Sequence, residues 1–375
     1  AFATRSFNQM PDDLSAGAIE DELTLLGLVG LIDPPRDEVY QSIKDCGTAG
    51  ITPVMITGDH PGTALAIARK LGISTDNGVM TGEELEQLEY QDLLQQVQRV
   101  HVYARVSPEQ KIKIVGALQE CGEYVAMTGD GVNDAPALKQ ANSGVSMGLK
   151  GTDDARETSD MVLKDDNFAT IVSAVREGRR IFDNIRKFIK YTMTSNSAEI
   201  LVISMAPFFG LPLALLPIQI LWINLVTDGL PGLALSVEPH ERGIMQRPPR
   251  GPDESIFANG MWQHIVWVGL LIGAISLGAQ AWAYHGGSEN WQTIVFCVLT
   301  FSQLLHALVI RSESESLLTI GLFSNLPLLG TVILSIGLQL MVVYIPFLNL
   351  IFHTTPLTLA ELVICLCLPF TVLFA

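Results

Sequence analysis

The stretch Met127-Thr128-Gly129-Asp130-Gly131-Val132-Asn133-Asp134-Ala135-Pro136, MTGDGVNDAP, sets two carboxylates and an amide in a loop interrupted by glycines. It contains no lysine or arginine. Two acids on one loop repel unless a cation stands between them. Oxygen-only ligands select a hard ion such as Mg²⁺, which keeps waters and bridges to phosphate. The apolar run Tyr124–Met127 before the loop reads as a strand, and Pro136–Ala141 after it as a short helix.

The same plan recurs upstream. Thr52–Ile56 runs into Thr57-Gly58-Asp59, and Pro61–Leu71 then reads as a helix closed by Gly72. Val100–Ala104 runs into Arg105–Ser107, and Pro108 opens a helix to Leu118. Strands alternating with helices predict a Rossmann-like parallel sheet, with the active site at the carboxyl ends of its strands. Thr57, Asp59, Asp130, Asn133 and Asp134 fall at those ends. Asp130 is the candidate direct Mg²⁺ ligand, with Asn133 and Asp134 orienting water or phosphate oxygens. Thr57 offers a hydroxyl and an N–H to a phosphoryl oxygen, and Lys111 a point charge. The Glu- and Gln-rich segment Thr81–Val100 reads as a solvated surface helix.

Composition divides the chain. The formal net charge of −16 carries no basic stripe, which argues against nucleic acid as a partner. Beyond Lys190 the lysines and arginines reduce to Arg242, Arg247, Arg250 and Arg311. Six apolar spans follow, roughly 188–209, 213–236, 262–284, 291–310, 326–346 and 357–375, each near the ~20 residues needed to cross a bilayer. Loops 210–212, 285–290 and 347–356 lack lysine and arginine, so the positive-inside rule puts the soluble half and the arginine loops in the cytoplasm. Trp262, Trp282, Tyr284, Trp291 and Tyr344 fall near span ends, where interfacial anchors belong. Cys365 and Cys367 read as packing, because no third soft ligand lies nearby.

Ionisable residues inside a span cost roughly 2.5–3.5 kcal/mol each, so they are functional candidates. The first span holds Asn196 and Glu199 on one helical face, and the second holds Asn224, Thr227 and Asp228 on another. Gly229, Pro231 and Gly232 should break the second helix and free carbonyls. Oxygen ligands from two helices suit a hard cation. From about Phe168 the chain stays helix-compatible into the first span, a rod of about 60 Å at the helical rise, with Gly178 as its weak point.

TGDGVNDAPAL (128–138), with MITGD (55–59), DPPR (33–36) and VSPEQK (106–111), resembles the phosphorylation domain of P-type ATPases, ion pumps of the haloacid-dehalogenase superfamily. The resemblance covers essentially the whole chain. It implies the tail of a nucleotide-binding domain over 1–32 and an α/β haloacid-dehalogenase-like domain over 33–187. An all-α six-helix transmembrane domain follows over 188–375. It further implies that Asp130 holds Mg²⁺, that Thr57 and Lys111 grip the transferred phosphoryl, and that Arg36 and Asp59 contact ATP. Asp33 would lie at the hinge to the nucleotide domain. The pattern N-x-x-E followed by N-L-V-T-D-G-L-P is similar to that of calcium-transporting pumps. Sodium/potassium pumps carry an aspartate where Asn224 stands. Gln303 in the fourth span stands where two-site calcium pumps have a glutamate, and His306 one turn on reads as packing.

The family's Asp-Lys-Thr-Gly-Thr, whose aspartate takes the phosphate, does not occur in this sequence. The expectation is therefore the carboxyl-terminal part of an ATP-driven Ca²⁺ pump in a cell membrane, completed by an amino-terminal part. The alternatives are a pump for Na⁺ or another cation, a catalytically inactive membrane fragment, or a membrane-tethered phosphatase.

Overall fold

The computed structural model describes residues 1–374 except 8, 12, 31–33, 252–253 and 313–316; Asp33 therefore lies outside the described residues. Strands β1 (Phe2–Thr4) and β2 (Thr24–Gly27) pair antiparallel around the short helix α1 (Ala16–Ile19). Strands β3 (Met55–Ile56), β4 (Met80–Thr81) and β5 (Val102–Ala104) form a parallel sheet in the order β3-β5-β4. Strands β6 (Ala126–Gly129), β7 (Ser143–Met147) and β8 (Met161–Leu163) form a second parallel sheet in chain order. The expected parallel sheet thus appears as two halves. Among the described residues no strand joins β3 to β6, so each half keeps an edge with unpaired backbone groups.

The covering helices are α2 (Asp37–Thr48), α3 (Pro61–Leu71), α4 (Gly82–Gln87), α5 (Tyr90–Val97), α6 (Pro108–Glu120), α7 (Ala135–Gln140) and α8 (Asp153–Thr158). Local chemistry sets their ends. Pro61 occupies the first turn of α3, the His60 side chain accepts from Gly62 N, and Gly72 closes the helix at φ 77°. Ser107 and Gln110 form a capping box at the start of α6. The segment after Thr81 is not one solvated helix. It is two, and Leu85, Leu93 and Val97 are buried in a cluster with Ile114 and Ala117 of α6. Its acidic composition hid the apolar stripe, which recurs at helical spacing.

Helix α9 (Phe168–Met205) runs 38 residues from the soluble half into the apolar half. Neither Gly178 nor the expected domain boundary at 187/188 interrupts it. Next come α10 (Pro217–Trp222), a π-turn over Ile223–Thr227, and α11 (Gly229–Leu235). They are followed by α12 (Met261–His285), α13 (Trp291–Val309), α14 (Leu317–Ile320), α15 (Leu326–Tyr344), α16 (Pro346–Phe352) and α17 (Leu359–Cys367).

Among the described residues four helical segments are long and apolar enough to cross a membrane: Pro217–Leu235, Met261–His285, Trp291–Val309 and Leu326–Tyr344. The first expected span is the carboxyl half of α9, and the last is the shorter apolar helix Leu359–Leu373. Trp262, Trp282, Tyr284 and Tyr344 are exposed near span ends, while Trp291 is half-buried. Cys365 is buried with its thiol on Ile294 O and Cys367 is exposed, so the two do not converge.

Helix α13 is buried along nearly its whole length and forms the centre of the bundle. Helix α12 holds α9 against it by close approach. A Cβ added at Gly269 would lie 2.7 Å from Ser197 Oγ, and one at Gly273 2.3 Å from Leu201 Cδ2. Small residues four apart let two helix backbones meet in this way. At the soluble end, Arg179 donates to Ala49 O of α2 at 2.8 Å and to Ile244 O and Arg247 O at 2.9 and 2.8 Å. One guanidinium thus joins the α/β half, the long helix and the arginine loop.

The expected consequence of these contacts is measurable. Replacing Gly269 and Gly273 together with alanine should separate α9 from α12 and lower stability by about 1–3 kcal/mol, the usual cost of overpacking. Thermal unfolding in detergent checks it, and an unchanged midpoint would show that the helices have room to spare.

Candidate functional site

Two clusters of the expected residues form, one at each end of α9's reach. In the soluble half, the turn after β6 is organised by Asp134. Its Oδ2 accepts from the amides of Asp130 and Gly131 at 3.3 and 3.2 Å, and its Oδ1 receives Lys111 Nζ at 2.6 Å. The side chains of this ion pair are only 16% and 12% exposed, so solvent screens it little. Gly129 is required there, because a Cβ would sit 2.5 Å from Asp134 Cβ.

With Asp134 turned inward, Asp130 and Asn133 are exposed at the loop tip. Asp134 therefore organises the loop and holds Lys111. On the neighbouring sheet, Thr57 follows β3 and its Oγ1 accepts from Asp59 N at 3.1 Å. The hydroxyl hydrogen of Thr57 stays available to an oxygen ligand. Arg105 follows β5 at φ 51°, a left-handed conformation uncommon for a residue with a side chain, and its amide bonds Asp59 O at 3.2 Å. No motif reading pointed to Arg105.

Asp59 and Arg36 are exposed. Arg36 acts on Asp165. The Thr170 hydroxyl, and more weakly the Arg36 charge, hold that carboxyl below its usual range. The donor set at the loop tip fits Mg²⁺: one free carboxylate, Asp130, an amide oxygen from Asn133, and space for waters. Among the described residues no cluster of three or more His, Cys, Asp or Glu side chains is poised to hold a metal.

The second cluster lies between α9, the π-turn and α13. Glu199, Asp228 and Gln303 are 4%, 3% and 0% exposed. Gln303 Nε2 donates to Glu199 Oε1 at 3.0 Å, and Asn224 Nδ2 donates to Glu199 Oε2 at 3.3 Å. Asp228 receives no close, well-aligned hydrogen bond, and only the Tyr191 and Ser195 hydroxyls face it; Gln303 Oε1 has no partner among the described residues. Asn224 itself is exposed, and Asn196 is half-buried one turn before Glu199 without a hydrogen bond to the cluster.

The helix distortion differs from expectation. Gly229, Pro231 and Gly232 sit inside α11, and the irregular turn lies before them, over the ligand segment itself. Asp228 N bonds Ile223 O at 2.9 Å, five residues back. Pro231 has no N–H for Thr227 O, and the Tyr191 hydroxyl supplies the missing donor at 3.1 Å. The freed carbonyl is thus spoken for by a residue that sequence reading had not singled out. His306 is also more than packing: its Nε2 lies 3.1 Å from His264 Nε2, and its ring stacks on Tyr191.

Residues 3–142 match the family described as haloacid dehalogenase-like hydrolase, and residues 212–375 the family described as cation transporting ATPase, C-terminus. The chain is 53% identical over 343 residues to a calcium-transporting ATPase of Bacillus subtilis, covering 90% of this chain and 38% of that protein. It is 43% identical over 383 residues to calcium-transporting ATPase 1 of Bacillus cereus, covering 96% and 42%. It is 39% identical over 381 residues to the endoplasmic reticulum calcium ATPase srcA of Aspergillus fumigatus, covering 92% and 39%. The chain spans about two fifths of the length of these relatives.

Gly129→Ala tests the loop geometry without reference to any activity. The added Cβ should push Asp134 off the Asp130 and Gly131 amides, costing about 1–3 kcal/mol for the broken buried bonds. Amide hydrogen exchange at 130 and 131 should accelerate, and unaltered protection would mean the loop is held by something else.

Proposed function

The chain belongs to the P-type cation-transporting ATPases, and on that premise we propose that it supplies the Mg²⁺ loop and most of the ion site of a Ca²⁺ pump driven by ATP. The observation that carries this reading is Asp228. A buried carboxylate beside a second carboxylate, Glu199, is costly, and only the hydroxyls of Tyr191 and Ser195 face it, with no lysine or arginine. Such a site is built for a hard cation that enters and leaves. The same helix that bears Glu199 reaches back to the phosphate-handling half.

Each soluble-site residue then has a physical task. Asp130 and Asn133 would hold Mg²⁺, which when bound neutralises charge on the transferred phosphoryl group. Thr57 donates its free hydroxyl hydrogen to a phosphoryl oxygen. Lys111, fixed by Asp134, brings positive charge to the same group. Arg36 and Asp59 contact the nucleotide. The acceptor aspartate comes from a segment outside this sequence. The free edges of β3 and β6, whose loops carry Thr57 and Asp130, suit a further parallel strand between the two half-sheets. The domain division at 32/33 and 187/188 is part of this reading, with α9 as one rod across the second boundary. The soluble half and the arginine loops face the cytoplasm, and the pump resides in the cell membrane.

Glu199 and Asp228 are the acids available for the transported ion, with Asn224, Thr227, Asn196 and Gln303 as neutral oxygen ligands. The ion is Ca²⁺ because two carboxylates with several amide oxygens match its demand for many oxygens. Na⁺ would need fewer formal charges, and the Asn224 position lacks the acid of sodium/potassium pumps.

Two measurements on the whole pump containing this chain follow. Asp130→Asn removes the one charged Mg²⁺ ligand at the loop tip, so phosphoenzyme formation from ATP should vanish or need far more Mg²⁺. Normal phosphoenzyme at low Mg²⁺ would remove Asp130 from its role. Ion stoichiometry is the second. Two Ca²⁺ would leave buried positive charge uncompensated, since Gln303 supplies an amide already engaged with Glu199. Equilibrium binding should give one Ca²⁺ per phosphorylation site, and Gln303→Glu should raise that number or its affinity. Two ions bound cooperatively in the unaltered pump would refute the charge argument.

A further inference from the structure

On α15 the run Ile336–Val343 is apolar except for Gln339, and Gln339 is wholly buried. A polar group inside a span is costly, so it is a functional candidate. Gln339 belongs to neither cluster above. Its Oε1 accepts from Trp222 Nε1 at 2.9 Å, and its Nε2 donates to Cys297 Sγ at 3.7 Å. The amide turned the other way would set two donors against each other at the indole. Trp222 is the last residue of α10, and the π-turn over Ile223–Thr227 begins at the next residue. The indole also stands edge-on to Phe352, with ring centroids 4.9 Å apart.

The π-turn is held from both sides. Before it, Gln219 donates to Phe352 O at 3.0 Å and Trp222 donates to Gln339, so turning α10 about its axis breaks both bonds. After it, Asn325 at the start of α15 donates to Ala234 O at 3.3 Å, and Asn184 of α9 donates to Ser236 O at 3.1 Å. A Cβ added at Gly232 would lie 2.8 Å from Phe188 Cε2, so α11 is seated closely as well. Helix α15 therefore grips the bent span at Trp222 and again at Ala234, on either side of the turn. A π-turn carries one residue more than an α-turn, and one residue of register rotates a helix by about 100°. Releasing the upstream grip lets the turn relax. The segment bearing Asn224, Thr227 and Asp228 would then swing relative to Glu199.

We infer that Gln339 is a positioning residue of the ion site: its bond to Trp222 fixes the register of the π-turn at which Thr227 and Asp228 are buried beside Glu199. This rests on the pump reading above. Gln339 is not a ligand and acts through Trp222. Its task is to hold the turn in a form that a regular helix would abandon.

The test uses the whole pump containing this chain and follows phosphorylation by ATP as Ca²⁺ is varied. Gln339→Leu and Trp222→Phe each remove the bond, and the second keeps an aromatic ring against Phe352. Each should raise the Ca²⁺ concentration for half-maximal phosphorylation about tenfold, the usual effect of losing a buried hydrogen bond. The phosphoenzyme level at saturating Ca²⁺ should match that of the unaltered pump. The double variant should shift no further than either single one, because both lose the same bond. Gln280→Leu is the comparison. Gln280 is equally buried on α12, and its bond runs to Pro212 O at 2.8 Å, before α10 begins. That variant should lower thermal stability and leave the Ca²⁺ midpoint in place. An unchanged midpoint in both Gln339→Leu and Trp222→Phe would overturn the role. So would additive shifts in the double variant, or an equal shift in Gln280→Leu, which mark a general loosening of the bundle. Phosphorylation of the unaltered pump that ignored Ca²⁺ would instead strike the pump reading itself, and the ion-site role with it.

Discussion

The carboxylate of Asp228 is buried beside Glu199 with only the hydroxyls of Tyr191 and Ser195 facing it, and the arrangement around it follows from what that demands. Desolvating a carboxylate costs several kcal/mol unless charge or hydrogen bonds compensate. Glu199, its neighbour across the interface, receives Gln303 and Asn224 and so is partly compensated. Asp228 receives neither. The backbone around it is bent to bring it inward: the π-turn shifts the register, and Pro231 leaves a carbonyl that Tyr191 covers. Two hydroxyls face Asp228, while the amides of Gln303 and Asn224 go to Glu199.

The cluster around Glu199 is tied to the soluble half by α9. Glu199 sits near one end of a helix whose other end packs on α2, and Arg179 bonds three carbonyls, one just after α2 and two in the arginine loop. Asp183 and Lys187, further along the helix, pair with Arg247 and Glu241 at 2.5 and 2.8 Å. Lys187 is buried, so breaking its pair would leave an uncompensated charge. Glu199 and the packing against α2 are thus joined by one unbroken helix of 38 residues. Gly178, the one residue of low helix propensity near the joint, lies in open space and leaves the helix unbroken.

In the α/β half the same economy governs a smaller loop. Asp134 satisfies two backbone amides and one ammonium, which frees Asp130 to face outward with its charge intact. The two half-sheets meet this loop from either side: α6 brings Lys111 from one, and β6 brings Asp130 from the other. Each half-sheet buries its central strand, β5 or β7, while β3 and β6 stand at edges.

Much of this was legible in the linear chain. The β-α alternation, the caps at Pro61, Gly72 and Ser107, and the acids inside apolar runs are local signals. Each depends on residues within one or two turns, so sequence alone located the strands' carboxyl ends and the buried acids Glu199 and Asp228, while Asn224, expected on the face of Asp228, is exposed. Other features depend on partners far apart in the chain and became visible only in three dimensions. Asp134 turns inward because Lys111, 23 residues away, lies across the loop. The helix yields at Ile223–Thr227, before its glycines, because Tyr191 on another helix takes the carbonyl that Pro231 frees. His306 meets His264, 42 residues earlier, because α12 and α13 pack side by side. Periodicity fixes which face a side chain occupies, but only packing decides which atom it meets there.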